Sequence, residues 1–376
     1  MVRRRLHRLR GGQETPTGGR CAGTQAAEIQ EVFTLSTPIP TNQHHLPRFL
    51  MRGFSNENKK GERYAFSYQK DRVFGANIKG IGGEKHFYTK PDENSVEIEI
   101  SKLEHEFAPF HNRLTQGNYD EKNDHEIAAY LLAHCSVRSK LLRMEIAMAM
   151  DLFWEEMKSI VNSKHSIFTL LEALIRDNPN FLYDDIRKHT PPGEDFSWVA
   201  DMLHENPKKF FEYFNIGEIP ALSAMIDMVQ HRPEDFSRNA HLKALRKTSA
   251  PDALAEKFGK NNFKLVRLSN RKSVLGDCMV YYLDNRLRAI GGVSWSPAKV
   301  ATILPISPEL LLVNSPFPID IRKLDPLAGP ISCSYEFFVY PSEEKFLRRR
   351  TKFIGRNVGN IITSTIKDSV SGFLSA

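Results

Sequence analysis

The sequence has no run of about 18 consecutive apolar residues, the length that a membrane-spanning helix requires. It has only four cysteines in 376 residues, and no two of them form a Cys-x-x-Cys pair. Such spacing fits neither a zinc site nor the disulfide framework of a small secreted domain. We therefore expect a cytoplasmic protein with reduced thiols and no membrane association.

The sequence also lacks the local motifs of several large enzyme classes. Gly80, Gly82 and Gly83 lie close together, but neither a Lys-Ser or Lys-Thr pair nor a helical pattern follows them, which argues against a phosphate-binding loop. Ser307 lacks the flanking glycines of a strained hydrolase nucleophile. A dinucleotide fingerprint and a protein-kinase motif set are missing too, so the sequence specifies no cofactor and leaves metal dependence open.

Positive charge is concentrated at the N-terminus. Residues 1–20 contain six arginines and one acid, Glu14, for +5 of the formal charge of +7, so the rest of the chain carries only +2. With so small a net charge, the rest of the chain has no overall electrostatic field that would hold a polyanion. The basic run at residues 348–352 keeps a nucleic acid as an alternative partner, because it could form a local binding patch. Such a charge run is more typical of a solvated helix face.

The hydrophobic pattern predicts an α+β fold that is predominantly α-helical. Residues 1–38 show no periodicity and are expected to form a disordered leader before a single large domain at residues 39–376. Within that domain we expect an N-terminal motif and hairpin region, a central helical block, and a strand-rich C-terminal part with a closing helix. Their ranges are 39–117, 118–250 and 251–376, and we expect the two terminal parts to share a sheet.

Individual elements follow from residue spacing. Alternation predicts a hairpin at residues 63–74, and helical spacing predicts helices at residues 95–116 and 123–162 and a closing helix at about 342–367. Short strand patterns bounded by turn residues occur at residues 263–268, 278–283, 300–305 and 310–314.

The predicted helix at residues 123–162 carries polar side chains on its apolar face. At about 100° per residue, His134, Arg138 and Glu145 fall within the stripe that its leucines and Cys135 define. An arginine is effectively always charged, so in a core it must find a carboxylate or several carbonyl oxygens. The sequence therefore predicts a buried polar cluster, either a structural ion-pair network or an active site in a dry cleft.

Other histidines and carboxylates are candidates for the same site. His44 and His45 are adjacent, and neighbours in an extended segment point to opposite sides, so one of the two can enter a site. Their spacing argues against two ligands to one metal ion on a helix, which would need a His-Glu-x-x-His pattern.

Two carboxylates flank the apolar face of the first long helix, namely Glu104 and Glu106. Either one, together with His45, His86 or Asp277, would provide a metal site of histidine and carboxylate ligands or an acid and base pair. The spacing along the chain does not select among these combinations.

The run from Gln43 to Phe54 reads Gln-His-His-Leu-Pro-Arg-Phe-Leu-x-x-x-Phe. It resembles the opening signature of an uncharacterised, largely bacterial family, domain of unknown function 4238. That family has Gln-His-Tyr where this chain has Gln43-His44-His45, so the resemblance carries over to His44. Further segments resemble later motifs of the family in the same order; they are Glu84–Thr89, Ser101–Glu104, Arg138-Ser139, Gly276-Asp277 and Leu304–Pro308.

The resemblance implies no activity, because the family has none established. It selects one polar residue from each of four separated motifs, His44, Glu104, Arg138 and Asp277, and so favours a shared polar site. The chain departs from the family at Cys278-Met279, where Asn-Pro is usual, and this departure weakens any role for that turn.

Two functions are compatible with these observations. The first is a hydrolase or nuclease-like enzyme in which His44 is a base or metal ligand, Glu104 and Asp277 are carboxylate partners, and Arg138 holds an anionic group. Its substrate would be an unidentified small molecule or anion, and the candidate ligand-binding residues are Arg48, Arg138, His86, His134 and Glu145. The second is a non-catalytic intracellular binding or interaction protein in which these residues form a satisfied buried network.

Overall fold

The structure of the protein, a computed structural model, describes residues 42–88, 95–161, 190–206, 233–246, 248–292 and 299–358, with a few positions between 163 and 209. The leader expected at residues 1–38 lies outside the described residues. So do most of residues 162–189 and 207–232, which belong to the helical block expected at residues 118–250.

Twelve strands are present in the described ranges. They are β1 (Asn42–His44), β2 (Asn56–Glu57), β3 (Arg63–Gln69), β4 (Val73–Asn77), β5 (Gly83–Lys85), β6 (Asn262–Arg267), β7 (Leu275–Gly276), β8 (Tyr281–Asp284), β9 (Ala289–Ile290), β10 (Lys299–Ser307), β11 (Leu310–Ser315) and β12 (Phe337–Tyr340). They form three antiparallel sheets, of which the smallest pairs β1 with β5. A second sheet has the order β6-β11-β10-β8-β9, and a third has the order β2-β3-β12-β7 with β4 paired to β3.

The third sheet joins the two ends of the fold. The hairpin strand β3 pairs with β12, so that Tyr68 lies opposite Phe338. Their rings are stacked at a centroid distance of 4.9 Å and are both buried. The expectation that the terminal parts share a sheet is confirmed.

The helices in the described ranges are α1 (Arg48–Arg52), α2 (Ser95–Thr115), α3 (His125–Arg138), α4 (Lys140–Val161), α5 (Ser197–Glu205), α6 (Pro233–Leu245), α7 (Ala250–Gly259), α8 (Ala328–Cys333) and α9 (Lys345–Arg348). The prediction of a predominantly helical fold is wrong, because the described chain is 44% helix and 21% strand and is an α+β fold. Several strands, such as β8, β11 and β12, are buried along their whole length and show no alternation. Strands without alternation are hard to distinguish from buried helix segments by sequence periodicity alone.

The single helix predicted at residues 123–162 is broken at Ser139, which is a correction to the sequence-based expectation. Ser139 has φ −66° and ψ 149°, an extended conformation that ends α3. Its hydroxyl oxygen accepts a hydrogen bond from the Leu142 backbone N–H at 3.2 Å. This is the contact of a helix N-cap, so Ser139 ends one helix and begins the next.

The closing helix predicted at residues 342–367 is also not continuous. Residues Lys345–Arg348 form α9, a short 3-10 turn follows at Thr351–Phe353, and Gly355 adopts a φ of 78° that ends the helical path. Residues 359–367 lie outside the described range. In the basic run, Arg348 pairs with Glu343 at 2.5 Å on the exposed surface.

The main core lies where α1, α2, α3 and α7 meet the sheets. α7 packs along α3, and α1 packs on α2. Buried side chains such as Phe49, Phe107 and Leu131 form one cluster with Leu304 and Phe337 of the sheets. None of the described helices is long and apolar enough to cross a membrane.

Candidate functional site

Arg138, the last residue of α3, is the centre of a buried polar cluster. Its side chain is only 3% exposed, and its guanidinium contacts groups from four separate parts of the chain. Nε donates to the Tyr88 hydroxyl at 3.0 Å, and Nη2 donates to the His44 backbone carbonyl at 2.6 Å. Nη1 forms an ion pair with Oε1 of Glu104 and donates to Nε2 of His134 at 3.3 Å. Protein groups therefore occupy four of the five N–H groups of this arginine.

The pairing of β1 with β5 brings Tyr88 to this arginine. Gln43 lies opposite Glu84 in the ladder, and its side-chain oxygen accepts a hydrogen bond from the Tyr88 backbone N–H. Burial raises the pKa of Tyr88, so its hydroxyl stays neutral. It accepts from Arg138 and lies 3.3 Å from the Arg138 carbonyl oxygen, to which it donates.

The His44 ring is held by a backbone carbonyl group. Nε2 lies 3.0 Å from the Lys79 carbonyl oxygen, which can only accept, so Nε2 carries the hydrogen. Nε of Arg48 lies 3.5 Å from the same nitrogen and cannot donate to it in this tautomer. Burial and the Arg48 charge lower the pKa of His44 to about 4, which makes the ring a neutral donor.

Two further histidines line the cluster without complete hydrogen bonding. His134 accepts from Arg138, so its hydrogen is on Nδ1, which is buried without a partner among the described residues. His45 lies between the rings of Phe87 and Phe337, at centroid distances of 5.4 and 6.1 Å, and both of its nitrogens lack a described partner. Burial, reinforced by the charge of Lys140, lowers the pKa of His45 to about 3.

Two carboxylates of α2 face this cluster from the surface side. Glu104 is 29% exposed and pairs with Arg138, whereas Glu97 lies seven residues earlier, which is about two turns along the same face. Oε2 of Glu97 is buried without a described partner. Burial raises the pKa of Glu97, the Arg138 charge lowers it and the Glu104 charge raises it, with a net upward shift. Glu106, the alternative to Glu104, is exposed.

Asp277 does not join this cluster. Its Oδ1 accepts from the Tyr335 backbone N–H at 2.7 Å, and its Oδ2 accepts from Glu336 at 2.6 Å and Phe337 at 3.2 Å. The carboxylate is fully buried and shapes the turn before β12. Burial raises the pKa of Asp277 to about 6 against the opposing effect of the three N–H donors.

Glu145 and His86 also lie elsewhere. Glu145 lies on α4, beyond the break at Ser139, and its carboxylate lies against Gly292, where an added Cβ would overlap it. Gly292 has a φ of 80°, so this position requires glycine for two reasons. His86 is exposed, with a φ of 54°, and its backbone carbonyl accepts from Arg238.

The structure thus brings together His44, Glu104, His134 and Arg138, with Arg48 at the rim. Sequence reasoning missed Tyr88 and Glu97. Tyr88 lies in the Glu84–Thr89 segment that resembles a family motif, and Glu97 shares the helical face of Glu104, so both could have been found. Within the described ranges, no group of three His, Cys, Asp or Glu side chains is arranged to hold a metal ion.

The fold and the site define an α+β protein with three antiparallel sheets and a buried polar cluster centred on one arginine. The family described as Protein of unknown function (DUF4238) matches residues 42–344, and the chain belongs to this family. This confirms the resemblance seen in the sequence motifs. No curated protein and no solved structure matches the chain.

Proposed function

We propose that this protein is a non-catalytic binding protein and that the cluster around Arg138 is its structural centre. The observation that supports the proposal is the saturation of the Arg138 guanidinium, because four of its five N–H groups already contact Tyr88, His44, Glu104 and His134. An arginine that recognises an anionic substrate needs donors that are directed at the substrate. Here the donors hold strand β1, helix α2 and helix α3 together.

The other residues of the enzyme hypothesis support the same proposal. Nε2 of His44 donates to the Lys79 carbonyl, and the Asp277 carboxylate is engaged by three backbone N–H groups. A group with such fixed partners is held for packing rather than for proton transfer. A cytoplasmic location is part of the proposal and is supported by Cys135, Cys278 and Cys333, which are buried and unpaired.

The experiment compares wild-type protein with His44→Gln and His44→Ala. A glutamine amide retains an N–H donor for the Lys79 carbonyl, whereas alanine leaves that carbonyl without its partner. We expect His44→Ala to lower the melting temperature and His44→Gln to restore most of it. In phosphatase, nuclease and esterase screens, we expect no activity from wild-type protein or from either variant. A wild-type activity that disappears in folded His44→Gln would contradict the proposal.

A hydrolase is the second candidate, and the pair Glu97 and Glu104 favours it. Their environments differ in the way that an acid and base pair requires, because the pKa of Glu97 is raised by burial while Glu104 is paired with Arg138. In this role Glu97 would donate a proton to a leaving group, and Glu104 would keep its ion pair with Arg138.

Glu97→Gln tests this second candidate, because an amide cannot supply the proton but has nearly the same shape. If the protein is a hydrolase, the variant loses a measurable activity, most strongly with substrates that have poor leaving groups. Glu99→Gln on the same helix is the matched control. Equal and negligible activity of wild-type protein and both variants would eliminate the candidate.

A further inference from the structure

A polar cavity of about 720 Å³ lies next to the residues that hold the His44 ring. Arg48 and Lys79 are in its wall, and these are the two residues whose side chain or backbone contacts Nε2 of His44. Its other walls come from the turn between β2 and β3, the second half of α2 and the end of β10. This volume is in the range of pockets that bind small molecules.

The cavity wall is rich in cations that lack carboxylate partners. Four of them form no ion pair with any described residue, and they come from three separate segments of the chain; they are Arg48, Arg52, Lys60 and Lys79. Arg48 and Arg52 are four residues apart on α1 and so lie on neighbouring positions of one helix face. All four side chains are exposed to solvent.

The remaining charges of the wall do not cancel this excess. Arg63 is neutralised by Glu57, with 2.6 Å between Nη2 and Oε2. Glu62 is the single carboxylate among the described residues that line the cavity, and it accepts hydrogen bonds from Asn58 at 2.9 Å and Tyr64 at 3.2 Å. Among the described residues that line the cavity, four cations without an ion pair therefore stand against one carboxylate.

We propose that this cavity, defined here as the basic cavity, binds a small molecule that carries a diphosphate group. The inference rests on the proposed function, since it names the ligand class of a binding protein. A carboxylate or a single phosphate, with a charge of about −1 to −2, would leave part of the positive charge of the cavity wall uncompensated. A diphosphate supplies about three negative charges and many acceptor oxygens, which suit two arginines and two lysines.

Neutral groups in the wall complete the recognition of an oxyanion. The Ser307 hydroxyl oxygen accepts from the Glu309 backbone N–H at 3.3 Å, which leaves its own hydrogen to donate to a ligand. The Asn112 side chain is exposed and has no described partner. The concave shape favours a small molecule over a nucleic-acid strand, which needs a basic track continuing beyond one cavity.

The test uses isothermal titration calorimetry of the full chain with inorganic pyrophosphate at low salt. We expect binding at one site, weakened by added salt because the attraction is between charges. The double variant Arg52→Gln, Lys79→Gln should weaken binding by roughly tenfold or more, since each change removes a charge-assisted contact. The control Lys59→Gln, Lys85→Gln makes the same change in net charge at exposed residues outside the cavity wall, and it should bind like wild-type protein.

Two results would overturn the inference. They are no pyrophosphate binding by wild-type protein, whether or not a single-stranded oligonucleotide binds, and equal weakening in the control. Neither of these would affect the proposed structural role of Arg138. Conversely, pyrophosphate that binds in the cavity and is then hydrolysed would support the inference and contradict the proposed absence of catalysis. Failure of the inference and failure of the proposed function are therefore distinguishable.

Discussion

Nη2 of Arg138 donates a hydrogen bond to the backbone carbonyl of His44 over 2.6 Å, across 94 residues of sequence. This contact ties the end of α3 to β1, the strand formed by the opening family motif. The same guanidinium holds Tyr88 of the second motif and Glu104 of the third. Four motifs that are far apart in the chain therefore meet at one side chain.

Replacing Arg138 by methionine should destabilise the protein severely. The change leaves the His44 carbonyl and the Tyr88 hydroxyl without their donor, and loss of one partner of a buried ion pair typically costs about 3–5 kcal/mol. Chemical denaturation at neutral pH measures the change in free energy of unfolding. Arg322→Met is the matched control, because that side chain is 88% exposed and pairs with Asp320 at the surface. We expect a loss of about 0–1 kcal/mol there, and equal losses in both variants would refute a structural role.

Replacing His45 by phenylalanine should stabilise the protein in acid. The pKa of His45 in the folded state is about 3, below the ordinary value of 6.5, so the unfolded chain binds a proton that the folded chain does not. The stability contributed by neutral His45 is therefore fully present above pH 6.5 and is lost as the pH falls toward 3. Phenylalanine does not titrate and fits between Phe87 and Phe337.

The free energy of unfolding of the variant minus that of wild-type protein should be about 2 kcal/mol larger at pH 5 than at pH 7.5. Thermal unfolding across this pH range provides the measurement. A difference between variant and wild type that does not change with pH would show that His45 is not held neutral by burial.

Replacing Asp277 by asparagine should lower stability by about 1–3 kcal/mol or more. At pH 7.5, above its pKa of about 6, the carboxylate accepts from the backbone N–H groups of Tyr335, Glu336 and Phe337. An asparagine has a single acceptor oxygen, so its amide nitrogen would face a backbone donor. Denaturant unfolding would measure the loss, and an unchanged midpoint would contradict the role of this carboxylate in the turn.

Replacing Ser139 by alanine should cost about 1 kcal/mol, the usual effect of removing an N-cap side chain. The hydroxyl accepts from the Leu142 backbone N–H, and Ser139→Thr retains such a hydroxyl. We therefore expect the threonine variant to unfold close to the wild-type temperature and the alanine variant to unfold several degrees lower. If threonine were as destabilising as alanine, the small volume of serine rather than its hydroxyl would be the important property.

Much of the fold was predictable from residue spacing. The hairpin at residues 63–74, the helix at residues 95–116 and strands β6, β10 and β11 are present close to their expected bounds. Strand β8 begins three residues later than expected, and β9 was not predicted. The balance of helix and strand was wrong, because fully buried strands such as β11 lack alternation. The break at Ser139 was missed because apolar spacing continues through it, whereas the backbone angles do not.

The candidate site was predictable in part. Burial of Arg138 followed from its place on an apolar stripe, and the family motifs selected His44 and Glu104 beside it. Asp277 was selected by the same reasoning, yet its carboxylate is bound to the backbone of residues 335–337. A position in a family motif indicates that its side chain is important. It does not show whether that side chain stabilises a turn or belongs to a shared polar site.

The sequence by itself determined the α+β class, the family and the need for a charged partner near Arg138, because these depend on local spacing and on a permanent charge. Only the tertiary structure decided that the partners are Glu104, Tyr88, His134 and the His44 carbonyl. Only the tertiary structure also placed Arg48, Arg52, Lys60 and Lys79 around one cavity. Contacts between residues far apart in the chain depend on how helices and sheets pack, and local spacing does not encode that packing.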